Sequence, residues 1–200
     1  GLFVGRENLE EKGDRRKSNV FRKERADDYV PLYEAKMVHQ FDHRYGTYEN
    51  QTEAQANQGK LPEATDGQHA DPDYVPLPRY WVKRSEVEKR LDGKTDRHWL
   101  MGWRDISNAV VFRTIIASIL PRYAVGHTVP LMFLGRFPDF AYAFYGLLGS
   151  FVFDFLARQK VGGAHITYHV LKQLPVLPPH LFKDATEWLP TLVSNVAEWL

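Results

Sequence analysis

Eighteen residues from Phe140 to Ala157 form the most apolar run of the chain, and their fate decides what kind of protein this is. A run of that length sits at the lower limit of a membrane span. It also contains Asp154, Gly146 and the dipeptide Gly149-Ser150, which divide it. Two packed helices in a core are therefore expected in place of a span. They are entered at Pro138-Asp139 and left through Arg158-Gln-Lys160 before Gly162-Gly163, where cations suit the negative end of a helix.

The remaining sequence divides into folded and polar stretches. Tyr74 to Val82 reads as extended because Pro76 and Pro78 bar a helix. Ser85 to Leu91 then reads as a short helix, with Ser85 as N-cap, Glu88 three residues on and Gly93 as its stop. Trp99 to Ile106, Val110 to Leu120 and Val129 to Leu134 are β-branched or aromatic runs separated by turn residues, and they predict strands of one sheet spanning residues 76–135. Asn50 to Asp73 holds one large aliphatic side chain, Leu61, and predicts a long mobile loop, because so little burial cannot offset the ordering entropy. Leu189, Leu192, Val193, Val196 and Leu200 share a helical face in the tail, which reads as a truncated helix. The fold class expected is α+β, in a single domain of 200 residues.

The net charge of +1 hides a strong segregation. Lys12, Arg15, Arg16, Lys17, Arg22, Lys23 and Arg25 face only two acids between positions 12 and 25, whereas residues 49–73 hold six acids against Lys60. A basic surface is thus masked by an acidic segment. The absence of cysteine excludes disulfides, thiolate metal sites and a cysteine nucleophile, and favours a cytoplasmic setting. The start Gly-Leu-Phe-Val-Gly-Arg carries no apolar targeting segment and no initiator methionine, which suggests a fragment of something larger. Dinucleotide, P-loop, nucleophile-elbow and zincin motifs are all missing.

Three constellations remain. His39 and His43 have the spacing of two imidazoles on one helical turn, but Arg44 beside them opposes a cation. Glu34-Ala-Lys36 has the form of half a magnesium-dependent nuclease site, but Asp27 and Asp28 lie too near in sequence to reach back and supply the other half. Arg158 to Tyr168 offers two cations, the amide of Gln159, a glycine pair, His165 and Thr167. That set suits phosphates and base edges, and suits a capped helix followed by a turn equally well.

The chain resembles the C-terminal target-recognition (specificity) domains of DNA adenine methyltransferases and fused type II restriction-modification enzymes, of the TaqI-like kind. The likeness runs through Tyr29-Val-Pro-Leu-Tyr-Glu-Ala-Lys-Met-Val-His-Gln-Phe-Asp-His-Arg-Tyr-Gly-Thr-Tyr48, Trp99-Leu-Met-Gly-Trp-Arg-Asp-Ile-Ser-Asn-Ala109, Arg113-Thr114 and Val125-Gly-His-Thr-Val-Pro-Leu131. It continues in Ser150-Phe-Val-Phe-Asp-Phe-Leu-Ala-Arg-Gln-Lys-Val-Gly-Gly163 and Leu171-Lys-Gln-Leu-Pro-Val176. The chain departs from that pattern at Val110-Val-Phe112, where a polar stretch is expected, and at Gly149, where Asn is expected.

The resemblance implies a double-stranded DNA-binding module joined to a catalytic domain that binds S-adenosylmethionine and holds a flipped adenine on an Asn/Asp-Pro-Pro-aromatic motif. The one Pro-Pro here, at 178–179, lies between Leu177 and His180, so that chemistry belongs elsewhere in the parent enzyme, as does any magnesium for restriction. The expected DNA contacts are Lys36, His39, Gln40, His43 and Arg44, together with Arg158, Gln159, Lys160, His165 and Thr167. A nuclease half-site at Glu34 and Lys36 and a protein-interaction module of a phage-defence complex are the alternatives.

Overall fold

The computed structural model describes residues 1–22, 27–135 and 140–182. It is an α+β fold built on two sheets. The first sheet has the order β1 (Val4–Gly5), β5 (Tyr80–Lys83), β4 (Tyr29–Tyr33), β3 (Val20–Arg22), β2 (Arg15–Lys17), all antiparallel, and β8 (Ala124–Val125) joins β4 in parallel. The second has β6 (Trp99–Trp103) between β7 (Ala117–Pro121) and β9 (Leu131–Met132). The single sheet expected over residues 76–135 is thus divided, because β5 and β8 leave that stretch to pair with the N-terminal strands.

The second sheet is buried on both faces, which its alternation explains. Leu100 and Leu120 point into a core shared with Val30, Leu32 and Val87, whereas Met101, Trp103 and Ala117 point into a core shared with Leu148, Phe153 and Ala157. Gly102 lets β9 come close, since a Cβ there would stand 2.8 Å from the Pro130 carbonyl oxygen. The indole of Trp103 donates to Ile166 O at 2.7 Å and that of Trp81 to Asn19 O at 2.7 Å, so neither buried ring leaves its N–H unsatisfied.

The apolar run does form two helices, α5 (Ala141–Gly149) and α6 (Phe151–Lys160), broken at Ser150, whose hydroxyl accepts the Phe153 N–H at 3.1 Å. Among the described residues no helix is long and apolar enough to cross a membrane. The expected helix start at Pro138-Asp139 and the tail beyond Phe182 lie outside the described residues, as do Lys23 and Arg25 of the basic segment.

Two local expectations are corrected. α4 (Arg84–Leu91) is not capped by Ser85, which lies inside it. Asp27 accepts from the Ser85 N–H at 3.1 Å and from its hydroxyl, supplying the cap from a distant part of the chain, while Glu88 pairs with Arg122 at 2.8 Å. Residues 50–73 are not a structureless loop. α2 (Glu53–Asn57) and α3 (Asp66–Ala70) each begin with a complete capping box, Thr52 with Gln55 and Thr65 with Gln68, and Leu61 packs against the first core.

Candidate nucleic-acid interface

The residues expected to touch DNA fall into three places. His39 and Asp42 exchange backbone hydrogen bonds of 2.7 and 3.0 Å, which turns the chain sharply and excludes the helix that His39 and His43 would have shared. Phe41 at the tip of this turn has φ 61°, an outlying conformation for a bulky residue. His39 stacks on Tyr45 at 4.7 Å, and His43 instead lines a hollow with Asn19 and Tyr74. Burial lowers the pKa of both imidazoles, helped by Arg104 at His39 and by Arg44 at His43. Burial and the hydrogen bond to Glu63 push the Tyr45 phenol up to about 12.

Arg44 is committed to the fold. Its guanidinium donates to the carbonyls of His69 at 2.9 Å and Asp71 at 2.9 Å, and so ties the acidic segment to the core. Lys36 lies 4.9 Å from the centroid of the Tyr48 ring, whose hydroxyl donates to Glu34 at 2.8 Å. Asp27, required beside Glu34 for a nuclease site, sits at the start of α4. Among the described residues no three His, Cys, Asp or Glu side chains gather as ligands.

Gln40 and the second group converge around Gly149. Gln40 Oε1 accepts from Ala117 N at 3.2 Å, and a Cβ on Gly149 would meet Gln40 Nε2 at 2.8 Å and the Phe41 ring end closer still. Arg113, only 7% exposed, donates to Gly149 O at 2.6 Å and lies 4.9 Å from the centroid of the Phe151 ring. Asp154 is buried beneath: it accepts from Ile115 N at 2.8 Å and from Arg158 at 3.2 Å, and faces Arg113 at 3.7 Å. Arg158 also donates to the carbonyls of Ala109 at 3.0 Å, Val111 at 2.9 Å and Phe112 at 3.0 Å. Its charge is therefore largely engaged in fastening the 108–112 loop. Gln159 and Lys160 are exposed, and Lys160 makes no ion pair with the described residues.

His165 reaches the same side through the backbone, where Ile106 and His165 bridge and Ser107 N donates to Ala164 O at 3.1 Å. Its Nδ1 lies 2.8 Å from Asp105 Oδ2, which engages that ring nitrogen, and the imidazole side chain is 58% exposed. Thr167 caps α7 (Tyr168–Leu171) and lines a mainly apolar cavity of about 630 Å³ between α4, β8 and β9.

Sequence reasoning missed the aromatic character of this face. Phe41, Phe112, Phe151 and Phe155 are all more than 60% exposed, over the buried Arg113–Asp154 pair and the guanidinium of Arg158. Residues 106–116 and 149–164 contain a single acid, Asp154, and it is buried. The Phe-x-x-x-Phe spacing of α6 was visible, but periodicity alone does not say which side of a helix meets solvent.

No protein-family model, curated protein or solved structure matches the chain.

Proposed function

We propose that this chain is the sequence-reading module of a DNA adenine methyltransferase or fused restriction-modification enzyme, holding duplex DNA while a separate domain of the parent methylates adenine. The observation that carries the reading is the meeting at Gly149 of two distant stretches, Gln40-Phe41 and Arg113 with Phe151, beside exposed aromatic rings and with the one acid of residues 106–116 and 149–164, Asp154, buried. Cations supply affinity for phosphates, and exposed amides and imidazoles supply contacts to base edges. Lys160 suits phosphate, while Gln159 and the exposed imidazole of His165 suit bases.

The catalytic domain of the same polypeptide is the natural protein partner, and it would contribute S-adenosylmethionine and, if the parent cleaves DNA, magnesium. Work on chromosomal or phage DNA places the enzyme in the cytoplasm, in accord with the absence of cysteine. The nuclease reading draws less support, since Glu34 and Lys36 are occupied with Tyr48.

The test is a salt titration of the chain on a random-sequence 30-base-pair duplex. The logarithm of the binding constant is expected to fall linearly with the logarithm of salt, with a slope of several units. A chain that binds no duplex at low salt would overturn the proposal.

A further inference from the structure

We infer that the 108–112 loop is a stiff apolar wedge that enters the base stack of the bound duplex, with Phe112 as its leading side chain. The inference rests on the DNA-reading proposal and adds to it a mode of binding. Phe112 is 90% exposed and Val110 89% exposed, the two most exposed large apolar side chains among the described residues. Apolar groups in so open a position are covered by none of the described residues.

The loop that carries them is built to hold its shape. Asn108 Oδ1 accepts from Val110 N at 2.9 Å and Val111 N at 3.2 Å. Ser107 and Thr114 close its neck, the Ser107 hydroxyl donating to Thr114 O at 2.6 Å and the Thr114 hydroxyl to Asn108 O at 3.2 Å. Arg158 takes three of its carbonyls and is itself held by the buried Asp154. Five polar anchors thus leave only side chains at the tip. A wedge must be stiff in this way, because unstacking a base step requires work that a mobile loop would dissipate.

Charge decides the occupant. Arg113 and Arg158 share the single buried carboxylate of Asp154 beneath the apolar tip, so the cluster keeps a net positive charge and complements a polyanion that also offers flat apolar faces. Duplex DNA with an opened base step has both properties. An apolar face on a protein partner would lack the anionic half, and is the alternative that the experiment separates.

The experiment compares binding of the full 200-residue chain to three duplexes of identical sequence that are fully paired, singly mismatched or carry one abasic site. The last two lower the work of unstacking. The wild-type chain is expected to bind the abasic duplex at least tenfold more tightly than the paired one, with the mismatch between. Phe112→Ala should erase that preference, leaving equal affinity for the three duplexes, and Phe112→Trp, which keeps a flat ring, should retain it. Because Phe112 makes little contact with the core, the alanine variant is expected to unfold at the wild-type urea midpoint.

Equal wild-type affinity for all three duplexes would overturn the wedge and leave the DNA-reading proposal standing. No binding to any duplex would overturn both. If Phe112→Ala kept the full preference but no longer bound the catalytic domain supplied separately, the loop would be a protein-docking element and the wedge would fall.

Discussion

The Asp154 carboxylate and the Arg113 guanidinium, 3.7 Å apart and each 7% exposed, form the buried charge pair that joins α6 to the neck of the 108–112 loop. Because Asp154 also accepts from Ile115 and Arg158, its removal would leave Arg113 buried without a counter-charge. Asp154→Ala should therefore lower stability by about 3–5 kcal/mol. Asp154→Asn keeps an acceptor for the Ile115 N–H and should lower it less. Urea unfolding at neutral pH measures both, and a loss below about 1 kcal/mol for the alanine variant would show that the pair does not hold the loop.

Arg158 and Lys160, two positions apart in sequence and alike in charge, should behave differently. Lys160→Ala should reduce the slope of log K against log salt by about 1, the signature of one lost phosphate contact. Arg158→Ala should change the slope less, since its charge already faces Asp154, but should release the loop and abolish the preference for an abasic duplex. Equal slope changes in the two variants would contradict this division.

Gln159 and His165 should affect discrimination more than overall affinity. Replacing either by alanine should cost about 1–3 kcal/mol on a preferred sequence and much less on random duplex. Competition binding with the two duplexes reads the difference directly, and equal losses on both would assign these side chains to the DNA backbone.

His39 and His43 set a pH dependence of stability. Their folded pKa values lie below the ordinary imidazole value, so the unfolded chain takes up these protons first as the pH falls. The stability they contribute is complete above about pH 6.5 and is lost as the pH drops through the lower folded values. The urea midpoint should fall between pH 7.5 and pH 5.5, and fall less in the double variant His39→Gln, His43→Gln. An identical fall in both proteins would remove these residues as its cause.

Arg44→Ala should free residues 69–74 from the core without unfolding it, because the carbonyls it holds belong to an exposed segment. Limited proteolysis should then cut this region sooner than in the wild type, with the rest of the chain resistant. An unchanged digestion pattern would mean that the two capping boxes hold the segment by themselves.

The broad architecture was legible where composition forces the outcome. An apolar run interrupted by Gly149-Ser150 favours two helices over one, and the serine side chain then has one obvious use as a cap. The paired Thr-x-x-Gln boxes at Thr52 and Thr65 were equally readable, and the scarcity of apolar residues around them obscured a local signal. Asp27 capping α4 was not readable, because it is a contact across 58 positions. The same holds for Val110 to Phe112: these residues have strand propensity, and the guanidinium of Arg158, 46 positions beyond Phe112, helps to keep them in a loop. The candidate site was legible as a set of residue types, but its arrangement depends on Gly149, Arg113 and Asp154, whose roles are visible only in three dimensions.

The central claim, that this face reads sequence in duplex DNA, is tested most directly by selection from a pool of random duplexes with the chain at about 0.1 M salt, where exposed charges are screened beyond about 10 Å. Repeated rounds should enrich one short sequence that binds at least tenfold more tightly than the starting pool, and a Gln159→Ala, Lys160→Ala variant carried through the same rounds should fail to enrich it. Retention of DNA without any enriched sequence, or enrichment that survives in the variant, would contradict the claim.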